Sequence, residues 1–382
     1  MPLPDEPKQY DLVIEGATGF EEEDTSGDPK IVEPFDPSLI RVESKPMTVS
    51  LLLTRIKQGE INLQPGFQRK AGIWTQAAQS RLIESLLIRI PLPAFYMDGT
   101  NDDEWLVVDG LQRLTALKRF IIDDSLRLEG LEFLATLQGK SFAQLPRSYQ
   151  RRIEETQVTV FVIQENTPPQ VKFNIFKRIN TGGLPLSPQE IRHALYPGAA
   201  TVLLEELATS SEFKRATSNA IRDDRMGDRE CILRGLAFML LKPESYKAGE
   251  LDSFLNRAMG EINRLKDSEI NALKARFLKA IGLAKGLFGK HTFRKQFDGQ
   301  TNRSPLNKAI FEIWVSALSD LSDWEAERAL EKKASIKESF SHLLTTDGRF
   351  NAAVSIGTGD SKKVRYRFSK VASLLNEVLH AD

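Results

Sequence analysis

Apolar residues recur at helical spacing through most of the chain, whereas segments rich in β-branched residues occur only in its first half. Where one face stays apolar over several turns, the pattern predicts a helix. The first half contains predicted helices at residues 46–59, 76–90, 111–122, 145–156 and 168–179, and another opening after Ser187. Strands are predicted at 94–97, 104–108 and 157–163, with 126–134 as a further strand or hairpin.

Local signals mark where several of these helices begin. Thr75 precedes an apolar-periodic run and is a plausible N-cap. Ser187, Pro188 and Glu190 have the spacing of a complete capping box. We expect a domain boundary near residue 198, where Pro197 is followed by Gly198.

Beyond that boundary the strand signal almost disappears. Helices are predicted at 230–241, 251–265, 268–288, 306–318, near 326–344 and at 364–379. Residues 1–36 are rich in acidic residues, carry Pro, Gly and Ser and have little apolar content, which is typical of a disordered leader. The sequence therefore predicts the α+β class, with an α+β domain at 37–198 followed by an all-helical domain at 199–382.

Composition narrows the class of protein. Lys and Arg together number 52, as do Asp and Glu, so the net charge is zero and the chain is not coated with positive charge. A zero net charge does not exclude a local basic groove. The single cysteine, Cys231, excludes an intrachain disulfide and favours a reducing compartment. No apolar run approaches the roughly 18 residues that a membrane-spanning helix needs. We expect a cytoplasmic protein without a membrane partner.

A compact motif follows the strand predicted at 104–108. Asp109, Gly110, Leu111, Gln112 and Arg113 connect that strand to a helix. Glycine lets a ligand approach the backbone, and a helix start presents unpaired N–H groups that suit a phosphate. Arg113 can contact phosphate oxygens, and Asp109 can hold Mg²⁺ or orient water. The alternative is structural: Asp109 as N-cap with Gln112 at N3 also forms a capping box.

Two other segments carry candidate residues. The first contains Phe67, Gln68 and Arg69, followed by Trp74; the arginine could contact phosphate and the tryptophan could stack on a base. Alternatively, the aromatic residues belong to the core and Arg69 forms an ion pair. The second runs from Lys177 to Gly183 and contains Arg178 and Asn180. Its glycines either close a loop over a ligand or only turn the chain.

The order and spacing of these segments resemble the N-terminal domain of GmrSD-type restriction endonucleases, over roughly residues 40–200. The matching stretches are 67–69 with Trp74, 82–93, 107–117 and 176–191. This resemblance implies a ParB/sulfiredoxin-like fold and an Asp-Gly-Gln-Gln-Arg signature associated with binding and hydrolysing nucleoside triphosphates. By resemblance, Asp109, Gly110, Gln112 and Arg113 take the nucleotide role, and Gln68, Arg69, Arg178 and Asn180 are further nucleotide-binding candidates. Within this site we expect Asp109 and Gln112 to be catalytic, with Asp109 also as Mg²⁺ ligand.

The chain departs from the family pattern in two places. Leu111 stands where the signature has its first glutamine, which puts hydrolysis in doubt more than binding. The histidines are His193, His291, His342 and His380, and they show neither metal-ligand spacing nor the cluster that an HNH nuclease needs. The resemblance therefore points to a short, nuclease-free form.

Three functional hypotheses follow. The first is a protein of a bacterial phage-defence or DNA-restriction system that binds, and can hydrolyse, a nucleoside triphosphate with Mg²⁺. The second is a non-catalytic specificity subunit that binds DNA or a partner, such as a separate nuclease or another copy of the chain, through basic residues at 222–234 and 362–370. The third, ranked lowest, is a nuclease that combines Asp109 with Asp102, Asp103 or Glu104.

Overall fold

The computed structural model of the protein describes residues 19, 21, 39–63, 74–179, 186–221, 225–247 and 251–380. The chain divides into two compact units, Pro34–Leu195 and Tyr196–Asp382, and the second unit includes the described residues Gly19 and Glu21. The first unit combines helices with one sheet, and helices dominate the second. The predicted α+β class is confirmed, whereas the ParB/sulfiredoxin-like arrangement stays a prediction.

The described part of the first unit contains one mixed five-stranded sheet. Its strands are β1 (Val42–Thr48), β2 (Ile61–Asn62), β3 (Phe95–Asp98), β4 (Trp105–Asp109) and β5 (Gln157–Ile163), in the order β1-β5-β3-β4-β2. β3 pairs antiparallel with β4 and parallel with β5. Along β5 the side chains alternate between exposed and buried up to Val160, as expected for a strand with one face on the core.

Six helices of the first unit are described. They are α1 (Val49–Lys57), α2 (Gln76–Leu87), α3 (Leu111–Leu117), α4 (Arg147–Glu154), α5 (Pro169–Ile179) and α6 (Pro188–Leu195). Lys118–Ile122 continues α3 as a π-helical segment. The core of this unit lies between the sheet and α1, α2 and α3, around buried side chains such as Leu52, Ile83, Phe95 and Leu114.

The helix predicted at 46–59 is wrong at its beginning. Residues up to Thr48 form β1, and Pro46 is tolerated there because β1 is an edge strand. Thr48 then caps α1, with its hydroxyl accepting a hydrogen bond from Leu51 N at 3.2 Å. The caps predicted further along are confirmed: Thr75 Oγ1 accepts from Ala78 N, and Ser187 and Glu190 form the reciprocal bonds of a capping box.

The strand or hairpin predicted at 126–134 is also wrong. Leu126 and Leu128 are buried, which explains the alternating pattern, but the segment joins no strand ladder. Instead, the buried carboxylate of Glu84 accepts hydrogen bonds from the backbone N–H groups of residues 132, 133 and 134, at 3.0, 2.8 and 2.7 Å. These three bonds lower the pKa of Glu84 although burial opposes them. A side chain thus satisfies backbone groups that a strand would have paired.

The second unit is built around long apolar helices. Its described helices are α7 (Ala199–Thr209), α8 (Ser211–Thr217), α9 (Gly227–Leu241), α10 (Leu251–Ile262), α11 (Asp267–Phe288), α12 (Lys308–Ser319), α13 (Asp323–Glu331), α14 (Lys333–Thr346), α15 (Gly348–Ser355) and α16 (Ser361–His380). Their shared core contains an aromatic cluster of Phe288, Trp314 and Phe340. Within the described ranges, none of the helices is long and apolar enough to cross a membrane.

Two residues from the N-terminal stretch bind to this second unit. Gly19 O accepts a hydrogen bond from Leu306 N, and Glu21 N donates to Leu306 O. The Glu21 carboxylate lies 2.5 Å from Lys295 Nζ and accepts a bond of 2.9 Å from Asn307 Nδ2. Both residues lie in the stretch predicted to be a disordered leader, and each one has specific partners in the second unit.

Candidate functional site

The turn between β4 and α3 requires a glycine. Gly110 has a φ of +101°, a conformation that side-chain-bearing residues rarely adopt. A Cβ atom at this position would lie 2.3 Å from Phe95 Cδ1 and 3.2 Å from Arg113 Nη2. The glycine is therefore needed both for its backbone conformation and for the close approach of these two side chains.

Arg113 lies beneath this turn and holds Asp109. Its Nη2 atom donates to Asp109 Oδ2 at 2.6 Å and to Ala94 O at 3.1 Å, and its Nη1 atom donates to Pro93 O. The guanidinium also lies 4.5 Å from the centre of the Phe95 ring. The Arg113 side chain is only 10% exposed, while that of Asp109 is 24% exposed. The carboxylate is thus the part of this ion pair that solvent and ligands can reach.

Burial shifts the pKa of both members of the pair. It raises the pKa of Asp109, although the charge of Arg113 and the Gly110 N–H act in the opposite direction. It also lowers the pKa of Arg113, against the attraction of Asp109. Because desolvation dominates in each case, the ionised carboxylate is less well solvated than in water, and a cation beside its exposed edge would stabilise it.

The helix start beside this pair has no side-chain cap. Gly110 occupies the N-cap position of α3, so the capping-box alternative for Asp109 and Gln112 is wrong. Gln112 instead uses its Oε1 atom to accept a hydrogen bond from Trp74 N at 3.2 Å. The N–H groups in the first turn of α3 therefore lack a side-chain acceptor in the described structure, as a helix start that binds an anion requires.

The other predicted site residues are not brought to this turn by the described structure. Gln68, Arg69 and Asn180 lie outside the described residues. Arg178 is exposed in the last turn of α5. Phe95 and the carbonyl groups of Pro93 and Ala94 also contact Arg113, but the sequence does not single them out, because no local motif marks them as part of the site.

A separate cavity of about 450 Å³ lies beside the C-terminal part of α3. Its lining consists of Ile56, Gly59, Ile61, Asn62, Leu63, Glu104, Thr115, Lys118, Arg119 and Asp123. This volume suits a small molecule, but Asp109, Gly110, Gln112 and Arg113 do not line the cavity. The turn and the cavity are therefore two distinguishable candidate positions for a ligand in this unit.

A metal ion at the turn would take most of its coordinating atoms from water and a bound substrate rather than from the protein. Across the described ranges, no group of three or more His, Cys, Asp or Glu residues could hold a metal ion. Mg²⁺ often binds one or two carboxylates and takes its remaining ligands from water and substrate phosphates. Asp109 fits that role as a single ligand. Asp102, Asp103 and Glu104, the partners considered for a nuclease, are exposed residues preceding β4.

The two basic segments of the second unit are largely engaged within the protein. Arg229 lies 3.2 Å from Glu205, and Arg234 pairs with Glu230 and Glu312. In the second segment, Arg367 is buried and donates to Glu312 at 2.7 Å. The side chains of Lys362 and Arg365 in the second segment are exposed. Cys231 is fully buried, which raises the pKa of its thiol and makes it a poor nucleophile.

Comparison with known proteins adds one match. A family model described as GmrSD restriction endonuclease, N-terminal domain, matches residues 49–197. That range contains the described part of the sheet from β2 to β5, together with α1 to α6. Among curated proteins, no sequence matches the chain.

Proposed function

Because residues 49–197 belong to the family of the GmrSD restriction endonuclease N-terminal domain, we propose that the chain is a nucleotide-binding protein of a restriction or phage-defence system. The proposed ligand is a nucleoside triphosphate together with Mg²⁺. The proposed site is the turn that contains Asp109 and Gly110 and the first turn of α3.

One observation carries this proposal. A nearly buried arginine holds a half-buried carboxylate beside a helix start that no side chain caps. Uncapped N–H groups and the positive end of the helix dipole attract phosphate oxygens. Asp109 alone would repel a phosphate, whereas Mg²⁺ between them would neutralise both. The arrangement therefore supports binding of a magnesium-nucleotide complex rather than of a free nucleotide.

The contacts divide the roles among the motif residues. Both terminal nitrogens of Arg113 already have protein acceptors, so we assign Arg113 the positioning of Asp109 instead of direct phosphate contact. Gln112 binds the backbone of Trp74, the residue that directly follows segment 64–73. Gln68 and Arg69 stay candidates for nucleotide contact on the family resemblance alone. Arg178 and Asn180 remain further candidates for such contacts.

Calorimetric titration tests the proposal directly. We expect the full chain to bind at least one of the four common nucleoside triphosphates in the presence of Mg²⁺, and binding to weaken roughly tenfold or more in Asp109→Asn. Asp102→Asn is the matched control, because it removes an exposed carboxylate from the same unit. Thermal unfolding of both variants establishes that they are folded at the titration temperature.

The same titration can reject the site. If no triphosphate binds, or if both Asp variants bind like the parent protein, the proposal fails. A third variant, Thr115→Val, alters the separate cavity and leaves the turn intact. Loss of binding in Thr115→Val alone would place the nucleotide in the cavity instead.

Leu111 offers a test of hydrolysis. We expect Leu111→Gln, which completes the signature of the resembling family, to raise the rate of triphosphate hydrolysis about tenfold, since a glutamine there could orient the attacking water. The measurement is steady-state phosphate release, with Leu111→Met as a control that keeps the side chain apolar. Equal rates in the two variants would show that Leu111 does not limit hydrolysis.

A further inference from the structure

A second candidate site lies in the helical unit, where α11 ends and the chain passes through Gly289–His291 toward α12. Arg294 is only 2% exposed. Its Nη1 atom donates to Ser304 O, but its Nη2 atom is buried without a hydrogen-bond partner. The Nδ1 atom of buried His291 also lacks a partner, and His291 O accepts the backbone N–H of Arg294.

Further positive charges surround these two side chains. Burial, and after it the charge of Arg303, lowers the pKa of Arg294 to about 10. Burial lowers the pKa of His291, helped by Lys337, Lys290, Arg294 and Arg303. The pKa of Lys285 is lowered by burial, then by Arg303 and Arg294. We call Lys285, Lys290, His291, Arg294, Arg303 and Lys337 the basic cluster.

The nearby acidic groups that the structure describes serve other partners. Glu21 binds Lys295 and Asn307, and Asp298 lies 3.2 Å from His342. All the charges that shift the pKa of Arg294, His291 and Lys285 are positive. A buried guanidinium with an unused donor, surrounded by like charges, is unfavourable unless an anion joins it.

We infer that the basic cluster binds a phosphate group, supplied by a nucleotide or by a nucleic acid. A planar guanidinium matches phosphate oxygens, and a tetrahedral dianion can accept bonds from several converging donors. Arg303 and Lys290 are exposed, so an anion can reach them from solvent, whereas Arg294 and His291 are buried and have the unused donor groups. Neutral His291 is suited to donate through Nδ1 without adding to the repulsion.

This inference does not depend on the proposed function of the first unit. The two sites belong to different units and share no residue. A test with variants in each unit therefore separates failure of one proposal from failure of the other.

Titration with inorganic phosphate at constant ionic strength, with chloride as the replaced anion, tests the basic cluster. We expect saturable binding by the full chain, weakened roughly tenfold or more by Arg294→Met and by Arg303→Gln. Arg303→Gln changes an exposed side chain and keeps the test valid if Arg294→Met unfolds the protein. Arg264→Gln removes an arginine that is 75% exposed in the same unit and should bind phosphate like the parent protein.

The source of the phosphate group is identified by two further ligands. Titrations with ATP and with a DNA duplex, each in the Asp109→Asn background, show which one loses affinity when Arg303 is replaced. Absence of phosphate binding, or equal binding by the Arg303→Gln and Arg264→Gln variants, overturns the inference. In that case the buried donors of Arg294 and His291 are satisfied by water only.

Discussion

Glu312→Gln is expected to lower the free energy of unfolding of the helical unit by about 3–5 kcal/mol. Glu312 on α12 lies between two arginines: its Oε1 atom accepts from Arg234 Nη1 at 3.1 Å and its Oε2 atom accepts from Arg367 Nη2 at 2.7 Å. All three side chains are buried, with at most 6% of their surface exposed. Removing the carboxylate charge would leave two buried guanidinium groups facing a neutral amide.

Chemical denaturation of the full chain measures this loss. Glu206→Gln is the matched control, because it breaks a surface pair with Lys274 in the same unit, where Glu206 is 50% exposed. Exposed ion pairs contribute about 0–1 kcal/mol, so the control should unfold close to the parent protein. Equal losses in the two variants would contradict the structural role assigned to Glu312.

Gly110→Ala is expected to destabilise the first unit by about 2–5 kcal/mol. A left-handed backbone conformation costs a residue with a Cβ atom roughly 1–2 kcal/mol. The added methyl group would also lie 2.3 Å from Phe95 Cδ1 in a packed core, and relieving such a clash typically costs about 1–3 kcal/mol more. Nucleotide binding should fall with it, because the turn between Asp109 and α3 must move.

Gly139→Ala separates these two contributions. Gly139 has a φ of +77°, but a Cβ atom there would have nothing within 4 Å. This variant should therefore show only the conformational cost of about 1–2 kcal/mol. Urea denaturation of both variants gives the comparison, and equal destabilisation would mean that the contact between the turn and Phe95 is not tight in solution.

Local patterns predicted those elements whose bounds are marked by their own residues. The strand at 157–163 has the predicted bounds, and the capping residues Thr75 and Ser187 are where the sequence indicates. Prediction failed where tertiary contacts decide the structure. Pro46 begins no helix because strand pairing with β5 extends to Thr48. Helices α7, α8 and α15 were not predicted.

At the site, too, the sequence predicted the local elements but not the contacts between residues that are distant in sequence. The motif itself predicted a strand, a glycine turn and a helix start. The motif could not predict that Arg113 donates to Pro93 O and Ala94 O. These carbonyl groups lie beside Arg113 only because β3 pairs with β4. Likewise, Arg367 belongs to a basic segment of the sequence, but its side chain is buried and donates to Glu312 on α12. The sequence around Arg367 carries no sign of a partner so far along the chain.

We propose that a magnesium-nucleotide complex binds at the helix start after Gly110, and hydrogen exchange tests this binding most directly. With ATP and Mg²⁺ added to the full chain, we expect slower exchange in peptides that contain Leu111, Gln112 and Arg113, because phosphate would accept bonds from N–H groups that no side chain caps. This protection should be absent in Asp109→Asn. Unchanged exchange at these residues, with protection confined to the cavity lining at Ile61 and Leu63, would contradict the claim.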